Sequence, residues 1–324
     1  TRLRLLWLIL ACNACLGLLA QHEISSPKYM QTQYFINPAY SATSNTMVAS
    51  LMARKQWFGL EGSPASYRFA SYTPLNNTLM SVGGSLDLEQ FGIIKIYTGS
   101  LSYAYLVKIS PVTFLSLGIS AHAQMHQIAF DELNLTHADD PSFSNTTESE
   151  TILNATSGAY LYSRKFYLGL SVTNLFGSGN SDKYFEINQM QQKRQYYLSS
   201  GYTVNPNSWI GIKPSFLVRY HDEEDYNVGG GLQVFFKELF WVGAMYSKNG
   251  WMSSSVNVKI PSGLEVGYVF DVAMGNNMIN RTGHEIVISY EINSFVKENK
   301  NREFGFRKPK KDKTKSSIKS MRNF

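Results

Sequence analysis

Runs of about ten residues in which apolar and polar side chains alternate constrain this fold more than any other feature of the sequence. Alternate side chains of a β-strand point to opposite faces, so each run predicts a strand with one apolar and one polar face. Such runs lie at 251–260, 263–271 and 284–292. In 113–125 the alternation sets Leu115, Leu117, Ile119, Ala121, Ala123 and Met125 against Ser116, Gly118, Ser120, His122 and Gln124.

The length of these runs fits strands that cross a membrane. A tilted strand spans a bilayer with about 9–11 residues, and many of the runs have that length. After the first twenty residues, no apolar run reaches the roughly 18 residues that a membrane helix needs. We predict about fourteen strands, an even number that is typical of closed bacterial barrels. They are 45–54, 64–73, 79–88, 95–107, 111–125, 153–162, 165–173, 195–204, 208–220, 226–236, 239–248, 251–260, 263–271 and 284–292.

The connections between the runs alternate in length. Tight turns at 73–77, 108–110, 163–165, 205–207, 237–238 and 261–262 alternate with mostly longer loops at 55–63, 89–94, 126–152, 174–194, 221–225 and 272–283. Short periplasmic turns and long outside loops are typical of outer-membrane barrels, whereas a soluble β-sandwich has no reason to sort its loops. We therefore predict an all-β fold, a transmembrane β-barrel of about 14 antiparallel strands in the bacterial outer membrane, with periplasmic termini.

The first twenty residues have the features of a secretory signal peptide. Arg2 and Arg4 precede an apolar stretch, and Ala20 provides a small residue at its end. Cys12 and Cys15 both lie here, so the mature chain would have no thiol, as suits an oxidising compartment. A lipobox ending at Cys12 is the alternative. We predict four segments: a signal peptide at 1–20, a periplasmic leader or plug at 21–44, the barrel at 45–292 and a basic periplasmic tail at 293–324.

The positive charge of the chain belongs to its C-terminal tail. The net charge is +6, but residues 297–324 alone hold eleven Lys or Arg and three Asp or Glu, a net charge of +8. This tail has almost no apolar period and is predicted to be disordered or ordered by a partner. Two interpretations stay open: a solvated tail, or an electrostatic contact with an acidic periplasmic partner, peptidoglycan or lipid headgroups. Nucleic acid is not expected as a partner, because the tail lacks interleaved aromatic residues and the chain is secreted.

The sequence contains no convincing catalytic, cofactor or metal motif. His122 and His126 are four residues apart, but they lie where a strand runs into a loop, and His122 is expected to face the barrel lumen. The acidic residues of 131–140 match no calcium-loop template. Gly83-Gly84 and Gly229-Gly230-Gly231 lie within strands and indicate bulges or close packing, not phosphate binding. We predict neither enzymatic activity nor a cofactor or metal.

Two stretches do not fit the alternation. Residues 29–40 are rich in aromatic and amide side chains, precede the first strand and include the turn-forming Asn37-Pro38. Such a segment could plug the lumen or the periplasmic mouth, or dock a partner. The second stretch is Arg54-Lys55-Gln56-Trp57, followed by Gly62-Ser63-Pro64. We take as candidate partner-binding residues Gln33, Tyr34, Asn37, Pro38, Tyr40, Arg54, Gln56, Trp57 and Pro64.

These stretches resemble motifs of the PorP/SprF family of type IX secretion system membrane proteins. Ile36-Asn37-Pro38-Ala39-Tyr40 is similar to the opening INPAY motif of the family, and Arg54-Lys55-Gln56-Trp57 with Gly62-Ser63-Pro64 is similar to its RKQW…GAP signature. Later stretches are also similar, in order: 72–75, 166–172, 213–218, 241–246 and 283–286. The chain departs from the family in its basic tail and in Ser41-Ala42-Thr43, where the family usually has Ala-Gly.

The resemblance implies a non-enzymatic outer-membrane barrel that works with type IX secretion machinery. Its expected partners are that machinery, secreted cargo including gliding-adhesin-type proteins, a peptidoglycan-binding periplasmic lipoprotein and outer-membrane lipid. From length and polarity, we expect loops 126–152 and 174–194 to contact cargo. Two rivals remain: a passive channel or hydrophobic-solute transporter lined by Lys213, Arg219, Asn257, Lys259 and Glu265, and a surface enzyme.

Overall fold

The computed structural model describes residues 33–76, 79–130, 147–177, 193–207, 209–221, 225–237, 239–274 and 282–292. Fourteen strands lie within them. They are β1 Met47–Gln56, β2 Ala65–Pro74, β3 Met80–Phe91, β4 Ile94–Ser110, β5 Thr113–Ala129, β6 Thr147–Ser163, β7 Phe166–Thr173, β8 Gln195–Tyr202, β9 Ile210–His221, β10 Asp225–Phe236, β11 Phe240–Ser247, β12 Trp251–Lys259, β13 Leu264–Ala273 and β14 Thr282–Ile292.

The strands form a single closed antiparallel barrel. Each strand pairs with its neighbours in the chain, and β1 closes the sheet by pairing with β14 from Met47 opposite Ile292 to Gln56 opposite Gly283. The predicted fold class and strand number are therefore confirmed. Among the described residues, no helix is long and apolar enough to cross a membrane.

The two faces of the barrel differ as the alternation predicts. The outer face carries large apolar side chains that have no protein neighbour to cover them, such as Leu101 and Ile119, which are 75% and 54% exposed. The inner face of the same strands is buried and includes Ser116 and Ala104. An apolar outer surface suits lipid, because lipid tails replace the protein contacts that would cover these side chains in a soluble protein.

Strands β4, β5 and β6 are longer than the sequence predicts. Each has 17 residues, so β5 and β6 extend by several residues into the predicted loop 126–152. At a 45° tilt, a strand of this length rises about 40 Å, which exceeds the roughly 30 Å hydrocarbon core. The outward side chains of β6 in the added part are Thr147, Ser149 and Thr151. No apolar face is required outside the membrane, so the alternation that identifies the other strands is absent here.

The outward face of β5 should not tolerate charge at membrane depth. We expect Ile119→Arg to reduce the free energy of unfolding by about 2–4 kcal/mol, because the guanidinium must be taken into hydrocarbon. Urea titration of the protein in lipid vesicles measures this loss. Ser149→Arg, on the outward face beyond the apolar band, is the matched control and should change stability by less than about 0.5 kcal/mol. Equal losses for both variants would contradict the assignment of the lipid-facing surface.

Candidate functional site

Residues 33–44, which precede β1, fold into two short 3₁₀ helices, Gln33–Phe35 and Pro38–Thr43. Asn37 caps the second helix, because its side-chain Oδ1 accepts a hydrogen bond from the Ala39 backbone N–H at 3.0 Å. Proline in the first turn suits this position, since its missing N–H would have no partner inside the helix. The Asn-Pro pair that reads as a turn in the sequence therefore starts a helix.

This leader segment, 33–44, lies inside the barrel. The second helix contacts β2, β3, β4, β5 and β6, and all of its residues are buried. Aromatic rings on the strands enclose it: Tyr34 stacks on Tyr72 with ring centroids 4.9 Å apart, and Tyr40 meets the edge of Tyr160 at 5.4 Å. Aromatic pairs of this geometry stabilise a core beyond the area that they bury.

Polar contacts fix the position of the leader on the barrel wall. Asn37 Nδ2 donates to the backbone oxygens of Ala159 on β6 and Leu170 on β7, at 3.1 and 3.2 Å. Ser116 Oγ on β5 donates to the backbone oxygen of Ala39 at 2.7 Å. These bonds pair polar groups of the leader with groups on the barrel wall, so they favour one position of the leader over others.

The end of the leader that lies farthest from β1 makes a further bond to β4. The hydroxyls of Tyr34 and Ser102 are 2.8 Å apart. Burial raises the pKa of the Tyr34 phenol, and the hydrogen bond to Ser102 only partly offsets this. The hydroxyl therefore keeps its proton, and this bond forms between two neutral groups.

Glycines on the strands make room for the leader. A Cβ on Gly118 would overlap the backbone of Ala39, and a Cβ on Gly158 would overlap the side chain of Asn37. A Cβ on Gly83 would lie 2.7 Å from the Tyr34 hydroxyl oxygen. At Gly83 the close packing expected from the sequence is present. The register of β10 through Gly229–Gly231 is continuous with both neighbours, so no bulge forms there.

The second candidate stretch joins the two ends of the sheet. Arg54 is buried, and its Nη2 donates to Asp271 Oδ2 on β13 at 3.0 Å, while its Nε lies 4.0 Å from Glu285 Oε2 on β14. The Trp57 backbone N–H donates to the Thr282 oxygen at 2.7 Å, with Trp57 in the left-handed region at φ 50°. The Gln56 N–H donates to the Pro64 oxygen at 2.9 Å.

A second charged group lies near the leader and was not found from the sequence. Arg68 on β2 donates to Glu89, and its Nε lies 3.5 Å from Asp87 Oδ1, both on β3. Its guanidinium carbon lies 5.4 Å from the Phe35 ring centroid, which is cation–π distance. The sequence did carry a signal for this group: Arg68 and Asp87 are charged residues within predicted membrane strands, where an ionic group must find a partner in the lumen.

The structure divides the candidate partner-binding residues into two groups. Gln33, Tyr34, Asn37, Pro38 and Tyr40 form one buried unit in the lumen, whereas Arg54, Gln56, Trp57 and Pro64 belong to β1 and the loop after it. Their contacts described above are intramolecular, and their role in binding a partner stays a prediction. Residues 1–32, 131–146, 178–192 and 293–324 lie outside the described part of the chain. Within the described part, no group of three or more His, Cys, Asp or Glu side chains is arranged to hold a metal ion.

Comparison with protein families decides what this barrel is. Residues 18–290 match the family described as "Type IX secretion system membrane protein PorP/SprF". The chain belongs to this family. This PorP/SprF protein is therefore an outer-membrane component of type IX secretion. The predicted family and location are confirmed. Among curated proteins, no sequence matches the chain.

Solved outer-membrane barrels are similar to this PorP/SprF protein at low sequence identity. The CymD monoaromatic hydrocarbon channel has a TM-score of 0.52 and 9% identity, with 87% of this chain and 96% of that chain covered. A Pseudomonas aeruginosa FadL homologue has a TM-score of 0.47 and 11% identity, over 82% and 94%. Omp33 of Acinetobacter baumannii has a TM-score of 0.46 and 9% identity, over 78% and 100%.

The glycine positions under the leader can be tested with valine. Gly118→Val and Gly158→Val should each weaken leader packing by about 1–3 kcal/mol, because the added side chain overlaps residues 37–39. Leader release is measured with Ala42→Cys in a chain whose Cys12 and Cys15 are replaced by serine. The buried cysteine reacts with a maleimide reagent only when the leader leaves its position. We expect labelling to be about tenfold faster in the valine variants.

The matched control for these variants is Gly230→Val. Gly230 lies on a strand, and a Cβ there would meet nothing within 4 Å. In the Gly230→Val variant, the labelling rate of Ala42→Cys should equal that in the parent chain. If all three valine variants label at the parent rate, the leader does not depend on the space that the glycines leave.

Proposed function

We propose that this protein is a non-enzymatic recognition component of type IX secretion. It assists the secretion or surface attachment of specific cargo, including gliding-adhesin-type proteins, and/or anchors periplasmic machinery through a peptidoglycan-binding lipoprotein. The observation that supports this role is the leader at 33–44, which occupies the lumen along β2–β6. A barrel filled in this way offers its outside loops and its periplasmic ends for contact, more than it offers a wide route for a folded protein.

The outside surface is the proposed cargo side. Loops 126–152 and 174–194 are the longest of the predicted connections. Within the first of them, residues 126–129 belong to the long strand β5 and residues 147–152 to the long strand β6. Loops carried on a rigid sheet are typical binding elements, because the sheet fixes their position while their sequence can vary. Cargo recognition would then depend on these loops and the strand ends that carry them.

The periplasmic surface is the proposed machinery side. Strand β1 begins and strand β14 ends at the end of the barrel where the short turns lie, so the chain enters and leaves the barrel wall at that end. The net charge of +8 in residues 297–324 supports an electrostatic contact with an acidic partner there. A lipoprotein that binds peptidoglycan would connect such a contact to the cell wall.

Deletions that leave the strands intact separate the two surfaces. Removing 132–145 or 179–191 should reduce cargo in the medium or on the cell surface at least about tenfold, whereas removing 300–324 should reduce recovery of periplasmic machinery with the barrel. Quantitative proteomics of secreted fractions and co-purification from native membranes measure the two effects. Unchanged secretion after both loop deletions would overturn the cargo role, and unchanged co-purification after tail deletion would overturn the anchoring role of the tail.

A passive channel is the second candidate function. Lys213, Arg219, Asn257 and Glu265 are buried on the inner face of β9, β12 and β13, away from the strands that contact the leader. Lys259, also on this wall, pairs with Glu291 at 3.1 Å. Charged and amide groups along one wall of a lumen suit a polar route beside the leader. Conductance of the purified protein in planar bilayers would favour this function, and an absence of conductance in the parent chain and in Gly158→Val would exclude an ion-conducting channel.

A further inference from the structure

The outer ends of β5 and β6 form a sheet that continues beyond the apolar band. Outward side chains of β6 change from Leu153, which is 74% exposed, to Thr151, Ser149 and Thr147 along the strand. The pairing of β5 with β6 nevertheless continues without a register shift to Ala129 opposite Thr147. This part of the sheet therefore stands in water outside the membrane.

Within the described residues, the pairing on the other side of β6 ends much earlier. Strand β7 pairs with β6 only from Tyr162 to Ser157. Beyond this point the chain turns away at Asn174, which has φ 56°. In the described residues, the last contacts of β6 with this part of the chain are two hydrogen bonds. Leu175 N–H donates to the Ala155 oxygen at 2.9 Å, and Phe176 N–H donates to Asn154 Oδ1 at 3.1 Å.

The backbone direction along this edge follows from the Ala155 contact. The Ala155 oxygen points away from β5, because it accepts from Leu175 on the opposite side. Strand residues two apart point their N–H and C=O groups to the same side. Leu153, Thr151 and Ser149 therefore direct their backbone groups to this edge, and within the described part of the chain no strand pairs with them there.

The side chains beside the edge give it a charge. Glu150 and Glu148 lie on the inner face of β6, and Glu150 is directly opposite His126 on β5. Glu150 therefore places a negative charge on the inner side of this extension, next to the edge. A second copy of the same edge would place glutamate close to glutamate, which opposes self-pairing. A strand with lysine or arginine on one face would instead meet opposite charge.

We propose that residues 149–153 of β6 bind an extended polypeptide segment by adding it as a strand to the barrel sheet. The segment would carry basic residues at alternate positions, on the side that faces Glu150, and small or β-branched residues beside Ser149 and Thr151. Backbone hydrogen bonds supply binding in this mode, and alternate side chains supply selectivity. The inference rests on the proposed recognition function, since a polypeptide outside the cell is what can reach this edge.

A synthetic peptide tests the edge directly. The probe is a fluorescent heptapeptide with lysine at positions 1, 3, 5 and 7 and threonine or valine between, and its matched control carries glutamate in place of lysine. Fluorescence anisotropy with the full mature chain in detergent micelles measures binding. The lysine peptide should bind at least about tenfold more tightly than the glutamate peptide. Equal affinity, or no binding of the lysine peptide, would overturn the proposal.

Substitutions at one edge residue separate backbone pairing from other contacts. Thr151→Pro removes an edge N–H without removing a bond to β5, and proline is tolerated on edge strands. It should weaken the lysine peptide about tenfold, whereas Thr151→Val keeps the N–H and should change affinity less than about twofold. Glu150→Lys should reverse the preference toward the glutamate peptide. Unchanged binding in Thr151→Pro would overturn strand addition, and heat-modifiable gel migration confirms that each variant is folded.

One further variant excludes an internal occupant. Replacing 179–191 with a short Gly-Ser linker should leave lysine-peptide affinity unchanged. Binding that appears only in this variant would mean that the chain's own loop covers the edge, which overturns recognition of a partner. The secretion assays test the cargo role separately from this edge. If the lysine peptide binds but secretion stays normal in the loop deletions, the edge site is supported and the cargo role is overturned. If the peptide does not bind but the loop deletions reduce secretion, the cargo role is supported and the edge site is overturned.

Discussion

Backbone hydrogen bonding in lipid is the constraint on which the rest of this structure depends. Hydrocarbon offers no partner to an N–H or C=O group, so a membrane sheet must pair every strand on both sides. The pairing of β1 with β14 meets this requirement by closing the sheet. This requirement no longer applies in water, which explains how β6 can extend beyond its pairing with β7 while its pairing with β5 continues.

Closure creates an interior, and the contents of that interior set what the barrel can do. Small residues on the inner face, among them Gly118, Gly158 and Ser116, leave space on one wall for the leader. The opposite wall keeps larger polar groups such as Lys213 and Asn257. The lumen is thus divided between a packed side along β2–β6, held by aromatic contacts and hydrogen bonds with the leader, and a polar side on β9, β12 and β13.

The sequence predicted the membrane strands well, because lipid and lumen impose opposite polarity on alternate residues. The ends of β5 and β6 were missed, since a strand in water needs no apolar face. The leader stood out because it is too aromatic for a loose segment, yet its position against β2–β6 could not be predicted. Arg54 was recognised as unusual, but its partner Asp271 lies 217 residues away and is found only when the barrel closes.

By itself, the sequence determined the strand number, the sorting of loops to two sides and the family, because each of these is written in local patterns of polarity and in ordered motifs. Tertiary structure decided where the leader packs, which charges pair across β1, β13 and β14, and how far β6 extends beyond its pairing with β7. These features depend on distances between residues far apart in the chain. Such distances are fixed only when the sheet closes and each strand acquires its neighbours.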